Sequence, residues 1–209
     1  MEGQDRRKAL GAMLAFGTAA AAAGRAEAAA PKQQGLAATV DALQSRAQIE
    51  EVLLAYIRGN DRADEALLRS CFWPESTHKH GRFEGSSADF VGFAMKIIRS
   101  VKHTCHQLTN ISIEVAGDRA FTESYYWAQH RRDRKDGQGE EDAFFQGRYL
   151  DLLERRGGIW KIIRRRGYSD FSPPPAPAAT PFANWPAGQH SLRYPDDDYY
   201  KMRAELRRN

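Results

Sequence analysis

Four closely spaced strand-like stretches in the second half of the sequence constrain the fold more than any other feature. We expect strands at residues 110–115, 120–131, 143–154 and 159–168. Gly117-Asp118 and Gly157-Gly158 join two pairs of these stretches with residue types that favour tight hairpin turns. The polar segment 133–141 predicts an exposed hairpin loop between the middle two strands. Because short connections pair neighbouring strands antiparallel, the sequence predicts a mostly antiparallel sheet.

Helix-forming patterns precede these strands. We expect helices at residues 40–58, from 61 or 64 to 72, and at 88–100, with one short strand at 77–83. In the first helix, apolar residues recur every three or four positions and define one buried face. Gly59-Asn60 is predicted to end that helix, and Pro74 to close the second. Helices followed by a hairpin-closed sheet predict an α+β fold, with the helices packed on one face of the sheet.

The length and composition are those of one globular domain with extensions. The chain has 209 residues, of which 42% are apolar, 28% charged and 11% aromatic. The net charge of +4 does not by itself indicate nucleic-acid binding. The basic runs at 131–135 and 164–166 are short, and acidic residues follow the first one directly. We interpret them as solvated surface and predict no nucleic-acid partner.

Residues 1–28 have the order of a secretory signal. Arg6-Arg7-Lys8 precedes a weakly apolar, alanine-rich stretch, and Ala26-Glu27-Ala28 resembles a cleavage site. The adjacent arginines and the low hydrophobicity indicate the twin-arginine route. An uncleaved membrane anchor is the alternative, but glycines interrupt a stretch that is short and weakly apolar for a membrane span. We therefore expect a periplasmic or secreted protein with no membrane contact after processing.

The remaining chain divides into a linker, residues 29–39, a domain, residues 40–171, and a proline-rich tail, residues 172–209. The tail is predicted to be extended rather than folded. Its scattered aromatic residues indicate docking, either on the same subunit or on a neighbour. The only two cysteines, Cys71 and Cys105, are predicted to be buried free thiols rather than a disulfide.

The residues with the clearest chemical potential lie just before the strand at 110–115. His106 is a candidate base, because histidine titrates near neutral pH. A base of this kind needs an orienting carboxylate, for which Asp61 is the candidate, and a donor or cation such as Tyr56 or Arg165. Each residue also has an ordinary structural interpretation. Asp61 is equally consistent with a helix N-cap, His106 with a satisfied histidine at a strand start, and Tyr56 with a core aromatic.

Several short motifs, taken in order and spacing, resemble the SnoaL-like branch of the nuclear-transport-factor-2-like superfamily. The resemblance covers residues 40–171 and rests on Ser45-Arg46-Ala47-x-Ile49, Tyr56-x4-Asp61-x2-Asp64, Phe72-Trp73-Pro74-Glu75, His106-x2-Thr109-Asn110, Gly117-Asp118-Arg119-Ala120, Gly147-Arg148-Tyr149-x-Asp151 and Glu154-Arg155-Arg156-x-Gly158-x-Trp160-Lys161-Ile162. It implies a cone-shaped, curved, mostly antiparallel sheet with three N-terminal helices. The helices and the concave face would enclose a pocket.

The resemblance also implies an activity. It is that of a hydro-lyase, or a related isomerase, acting on a small hydrophobic cyclic substrate. In this scheme His106 removes a proton, Asp61 holds the imidazole, and Tyr56 or Arg165 assists loss of water or another leaving group. No metal or organic cofactor is implied, and homodimers or homotrimers are expected.

Four further positions are implied as substrate-binding: Trp73, His78, Tyr126 and His130. A shift of one residue in the alignment would place Gln129 in the pocket instead of His130, because alternate strand residues face opposite sides.

Two other functions compete with catalysis. A metal site could use His78, His80, His103, His106 and Cys105, although their spacing matches no zinc signature. A non-catalytic ligand-binding or oligomerisation module is the more serious alternative, since one fold supports many functions.

Overall fold

The computed structural model of the protein describes residues 35–206. The predicted export signal, residues 1–28, and the first part of the predicted linker lie outside the described residues. Three helices come first: α1, Leu36–Asp61; α2, Glu65–Ser70; and α3, Ser87–Ser100. The expected linker up to residue 39 and the expected end of the first helix are both wrong, since α1 begins at Leu36 and continues through Gly59 and Asn60.

Gly59 has a packing role rather than a helix-ending one. A Cβ atom at Gly59 would lie 2.8 Å from the backbone nitrogen of Leu68 in α2. The glycine therefore lets α2 pack directly against the last turn of α1. This close contact fixes where α1 ends, and with it the position of Asp61.

Seven strands form one sheet with the order β2-β1-β6-β5-β4-β3 and with β7 beside β5. Their bounds are β1, Phe72–His80; β2, Phe83–Ser86; β3, His103–Ala116; β4, Arg119–Asp133; β5, Glu140–Arg156; β6, Ile159–Phe171; and β7, Ala176–Pro177. Among the strand pairings of residues 35–206, only β1–β6 is parallel, so the predicted mostly antiparallel sheet and the α+β class are confirmed. Register shifts in the β3–β4 and β5–β6 ladders mark bulges, which bend strands and curve a sheet.

Pro74 does not close a helix, contrary to the prediction. The second helix ends at Ser70, and Pro74 lies within β1. The ladder between β1 and β6 is interrupted between Phe72 and Thr77. A proline is tolerated there because no ladder hydrogen bond is lost. The turns at Gly117-Asp118 and Gly157-Gly158 are confirmed, with positive φ at all three glycines.

The core lies between the helices and the inner face of the sheet. Residues of α1 and α3 that recur at helical spacing, such as Ile49, Leu53 and Val91, are almost completely buried. The sheet contributes alternate residues, because successive side chains of a strand point to opposite faces. On β4, for example, Tyr126 and Ala128 are buried while Trp127 between them is 40% exposed.

The tail contains more structure than predicted. Beyond β7 it has a 3₁₀ turn at Phe182–Asn184 and a helix, α4, at Asp198–Leu206. It docks on its own domain: the Ala178 amide donates to the Glu140 carbonyl at 2.9 Å, and the Tyr194 amide to the Arg62 carbonyl at 2.7 Å. The tail is therefore only partly extended, and backbone hydrogen bonds to the domain hold it in place.

Both cysteines are free thiols, as predicted. Burial raises the pKa of the Cys71 thiol to about 12. Cys105 is exposed, contrary to the prediction, since odd-numbered residues near the start of β3 face away from the core. Within residues 35–206 we find no helix with the length and apolar character of a membrane span.

Candidate active site

A cavity of about 530 Å³ lies between the inner face of the sheet and helices α1 and α3. Four residues predicted from the sequence line it: Tyr56, His106, Tyr126 and His130. The rest of the wall is mostly aromatic or apolar, including Phe90, Phe93, Ile98, Val101, Phe145 and Tyr149. Asn60 and His80 are further polar residues, and Arg82, Arg132 and Asp133 are charged ones. Its size is that of a site for a small organic molecule.

Asp61 and His106 meet at one side of this cavity. His106 Nδ1 lies 2.6 Å from Asp61 Oδ1, and the His106 backbone amide donates to Asp61 Oδ2 at 2.9 Å. The Thr104 hydroxyl also donates to Asp61 Oδ1, at 3.3 Å. The predicted proximity of the carboxylate and the imidazole is therefore met. Asp61 is not a helix N-cap, since Asp64 performs that role by accepting from the Leu67 amide at 2.9 Å.

The geometry assigns the imidazole tautomer. Both oxygens of an ionised carboxylate are acceptors, so the proton between Asp61 and His106 belongs on Nδ1. The neutral ring then has an unprotonated Nε2, because the ring's hydrogen-bond contacts with residues 35–206 are both at Nδ1. A neutral imidazole with a carboxylate on Nδ1 and an acceptor nitrogen on the cavity side has the arrangement of a general base.

Strand pairing explains why His130 is in the cavity. In the β3–β4 ladder, Thr104 pairs with His130 and His106 with Ala128, so the two histidines are diagonal neighbours on the inner face. Their ring centroids are 5.4 Å apart. Gln129 turns the other way and donates to Asp142 at 2.8 Å, so the alternative alignment is wrong. Burial, with a smaller contribution from His106, lowers the pKa of His130 to about 3.

His80 occupies the cavity wall in place of the predicted His78. His78 is 1% exposed and stacks on Phe90, with ring centroids 3.4 Å apart. His80 lines the cavity because Gly167 gives its ring room; a Cβ at Gly167 would lie 2.7 Å from the imidazole. Burial and the nearby Arg165 lower the pKa of His80 to about 4 and that of His78 to about 2. The alternation of β1 places both on the inner face, which is the signal that could have identified His80.

Arg165 lies beneath the cavity rather than in its wall, contrary to the prediction that it contacts the leaving group. Its Nε and Nη2 donate to the two carboxylate oxygens of Asp151 at 2.7 and 2.6 Å, and both residues are at most 2% exposed. The guanidinium stacks 3.8 Å from the Tyr56 ring and 4.5 Å from that of Tyr149. Burial lowers the pKa of Arg165, but the Asp151 carboxylate outweighs it, so the pKa rises overall.

The buried Arg165 guanidinium therefore packs against the rings of both Tyr56 and Tyr149. Burial raises the pKa of the Tyr56 hydroxyl, although the Arg165 charge opposes the rise. Tyr56 is accordingly protonated and can act as a hydrogen-bond donor. The motif Tyr149-x-Asp151 was visible in the sequence, but nothing in the sequence showed that its aspartate pairs with Arg165.

Trp73 is not part of this cavity. Its indole Nε1 donates to the Glu154 carbonyl at 3.1 Å, and its ring lies under Arg156 and Lys161. It lines a separate surface groove beside α2 and α3. Trp73, predicted to bind substrate, therefore lies outside the cavity, because β1 turns this side chain to the opposite face. Tyr126 does line the cavity, and its hydroxyl donates to the Tyr168 carbonyl at 3.0 Å.

Three or more His, Cys, Asp or Glu side chains do not come together as a metal-binding group anywhere in residues 35–206.

Asp151→Asn is expected to lower the free energy of unfolding by about 3–5 kcal/mol, because it leaves the buried Arg165 charge without its counter-ion. Glu123→Gln provides the matched control. It removes a pair with Arg148 across the neighbouring β4 and β5 strands, at 2.8 Å, whose side chains are 38% and 32% exposed. Exposed pairs contribute at most about 1 kcal/mol. Urea unfolding measures both variants, and equal losses would contradict the importance of the buried pair.

Comparisons with known proteins agree with this architecture. A family model described as a SnoaL-like domain matches residues 41–166. No curated protein matches the sequence significantly. Among solved structures, a type 2 hexachlorocyclohexane dehydrochlorinase, LinA, is 23% identical, with a TM-score of 0.61 over 72% of this chain and 99% of its own.

Two further structures are similar to the same extent. A type 3 LinA dehydrochlorinase from Novosphingobium barchaimii is 21% identical, with a TM-score of 0.59 over 69% of this chain and 97% of its own. A protein from Novosphingobium aromaticivorans, provisionally named a scytalone dehydratase, is 23% identical, with a TM-score of 0.58 over 69% of this chain and 97% of its own. At these identities the likeness shows a shared fold.

Proposed function

Because this chain belongs to the SnoaL-like domain family, we propose that it is a cofactor-independent lyase of the dehydratase or related elimination type. Structural neighbours named as dehydrochlorinases and as a scytalone dehydratase support this class of reaction. The observation that carries the proposal is the 2.6 Å contact between His106 Nδ1 and Asp61 Oδ1 at the wall of a cavity.

In the proposed reaction, His106 Nε2 removes a proton from a substrate carbon next to an activating group. The electron pair of that C–H bond forms the new double bond as the neighbouring bond to the leaving group breaks. Asp61 keeps the Nδ1 proton in place and stabilises the imidazolium that forms. For a hydroxyl leaving group, the proton returns from the imidazolium and water departs, so that His106 is neutral again.

The side chains of the cavity wall indicate which class of substrate fits and which residue assists the leaving group. Tyr56 is a protonated donor in the wall and is the better candidate for that role, since Arg165 is occupied by Asp151. His80 and His130 have strongly lowered pKa values and are neutral near pH 7. A largely aromatic wall, whose charged side chains are those of Arg82, Arg132 and Asp133, suits a small hydrophobic cyclic molecule.

A substrate screen tests the proposal. Hydroxylated steroid-like, polyketide-like and halogenated cyclic compounds are incubated with the protein, and mass spectrometry detects loss of water or hydrogen halide. We expect turnover by the wild type and none by His106→Ala, whereas Gln107→Ala, on the exposed face of the same strand, retains activity. Equal turnover by His106→Ala would remove the base assignment. Tight binding without any turnover would favour the alternative, a non-catalytic ligand-binding module.

Location and assembly are parts of the same proposal. We propose an exported enzyme, periplasmic or secreted, on the strength of the arginine pair and cleavage site in residues 1–28. A homodimer or homotrimer is proposed because Phe121 and Trp127 are 42% and 40% exposed on the outer face of the sheet. N-terminal sequencing of the exported protein would contradict the export proposal if it found an unprocessed chain. Sedimentation analysis would contradict the assembly proposal if it found a monomer.

A further inference from the structure

The tail, residues 172–206, crosses three segments of the domain that converge on the Asp61–His106 pair. Its first part lies along the β4–β5 end of the sheet, where Arg131 Nη1 donates to the Thr180 carbonyl at 2.6 Å. It then passes the start of β3, the end of α3 and the turn between α1 and α2. Contacts at each of these three places have identifiable donors and acceptors.

The contacts at the turn between α1 and α2 are the most numerous. Arg62 directly follows Asp61, and its carbonyl accepts from the Tyr194 amide at 2.7 Å. The Arg62 side chain lies 3.2 Å from Asp197 Oδ2. The Tyr200 hydroxyl donates to Asp64 Oδ2 at 2.9 Å. The tail therefore contacts the residue after Asp61 through both backbone and side chain, and the N-cap of α2 as well.

Asp197 organises this part of the tail. It is 7% exposed and accepts from the Leu192 and Tyr199 amides at 2.9 and 3.1 Å, in addition to facing Arg62. A buried carboxylate that accepts from two backbone amides and faces a guanidinium is held in one position. The ion pair with Arg62 consequently joins two parts of the chain that are each fixed locally.

The other two contacts reach the wall of the cavity and the strand of His106. Arg193 Nη2 donates to the carbonyls of Ile98 and Val101 at 2.8 and 2.6 Å. Both of these residues line the cavity at the end of α3. Ser191 Oγ lies 3.2 Å from His103 Nε2, three residues before His106 on β3. The tail thus joins α1, α3 and β3 from the outside at one end of the cavity.

The turn that carries Asp61 needs such support. Ala63 has φ of 51°, in the left-handed region that non-glycine residues avoid. This conformation costs about 1–2 kcal/mol and persists where the surrounding structure imposes it. Tail contacts to Arg62 and Asp64 lie on either side of Ala63. They are well placed to keep the last turn of α1, and so the Asp61 carboxylate, against β3.

We propose that the tail is a positioning element of the active site, which holds Asp61 and His106 in register through Asp197, Arg193 and Tyr200. The catalytic part of this inference rests on the proposed function, whereas the geometric part does not. A segment that only covered the surface would not need to reach both neighbours of Ala63 and the start of β3. Small displacements of a catalytic pair lower kcat strongly, and supporting residues of this kind typically contribute about 10–100-fold.

The test uses full-length Asp197→Asn and Tyr200→Phe. Tyr200→Phe removes a single hydroxyl, so it remains informative if Asp197→Asn does not fold. Lys201→Ala is the matched control, since within the described residues Lys201 pairs with Asp198 alone, at 2.8 Å in the exposed part of α4. Nitrogen-15 labelling of the histidines reports the His106 tautomer and its Nδ1 proton without any substrate. Turnover of a substrate found in the screen is measured in parallel.

We expect the wild type and Lys201→Ala to show one His106 tautomer with a hydrogen-bonded Nδ1 proton. In Asp197→Asn and Tyr200→Phe that proton signal weakens or a second tautomer appears, and kcat falls about ten-fold with little change in KM. Unchanged His106 signals in both variants would overturn the inference. So would a change in KM alone, which would mean that the tail gates substrate entry. If no substrate is ever turned over but the tautomer still changes, the proposed function fails and the positioning role stands.

Discussion

Asp61→Asn and His106→Gln will each lower kcat by about 10³-fold or more, and the double variant will be no slower than the slower single variant. General bases of this kind contribute about 10²–10⁴-fold. The two residues act as a unit, so their losses are not additive. The physical reason is clearest for Asp61, whose two oxygens face different donors.

Asparagine cannot replace that carboxylate. Asp61 Oδ2 accepts from the His106 amide and Oδ1 faces His106 Nδ1, at 2.9 and 2.6 Å. The backbone amide always donates, so it takes the single amide oxygen of the asparagine. The NH₂ group then faces Nδ1 and donates to it, which moves the ring proton to Nε2. His106 would present a donor to the substrate carbon instead of a base.

Steady-state kinetics on a substrate from the screen measures these effects. Thr104→Val provides a graded comparison, because the Thr104 hydroxyl contacts Asp61 only at 3.3 Å, and we expect a loss of less than about ten-fold. Thermal unfolding of all variants checks that the fold is retained. Additive losses in the double variant would contradict a single functional unit. Wild-type kcat in Asp61→Asn would contradict the tautomer argument.

The parts of the structure that depend on local pattern could be predicted from the sequence. Gly117-Asp118 and Gly157-Gly158 form turns because their backbone requires positive φ, which is a property of the residues themselves. The alternation of β4 places Tyr126 and His130 on the inner face for the same reason. The Asp61–His106 pair could be proposed only because the spacing of the motifs resembles that of a family. No local rule brings together residues that are this far apart in the chain.

The errors arise where tertiary packing outweighs local preference. Gly59-Asn60 has the residue types of a helix end, yet α1 continues through it because the glycine allows Leu68 to approach. His78 and His80 face the same side of β1, and only the space above Gly167 decides that His80 reaches the cavity. Arg165 was expected to assist the leaving group from β6. Its partner, Asp151, is on a different strand, so the sequence could not show that its charge is already neutralised.

The contacts of the tail were beyond prediction for a different reason. Tyr194 and Arg193 bind backbone carbonyls of Arg62, Ile98 and Val101, and every residue type has such a carbonyl. The sequence therefore contains no pattern that marks the receiving side. The aromatic residues of the tail indicated docking, but the location of the docking surface required the three-dimensional structure.

The protein will lose stability steeply as the pH falls from about 6.5 to 4.5. Burial lowers the pKa values of His78, His80 and His130 to about 2, 4 and 3 in the folded state. In the unfolded chain they return to about 6.5. Between these values the unfolded chain binds more protons than the folded protein, so the free energy of unfolding rises with pH and falls on acidification. Carboxylates titrate mainly below this window.

The loss amounts to about 1.4 kcal/mol per pH unit for each histidine, or roughly 6–8 kcal/mol for the three at pH 4.5. This is comparable with the whole stability of a typical domain. Urea unfolding across the pH range measures it, and His78→Phe isolates one group. His78 makes no hydrogen bond through either ring nitrogen within the described part of the chain, so phenylalanine retains the stacking on Phe90 and removes one titration.

We expect the slope of stability against pH in His78→Phe to fall by about 1.4 kcal/mol per pH unit. Val91→Ala is the matched control in the same core, where Val91 is 0% exposed. It should lower stability by a similar amount at every pH and leave the slope unchanged, because it removes packing and no titrating group. A flat profile in the wild type, or an unaltered slope in His78→Phe, would mean that the buried imidazoles accept protons without unfolding.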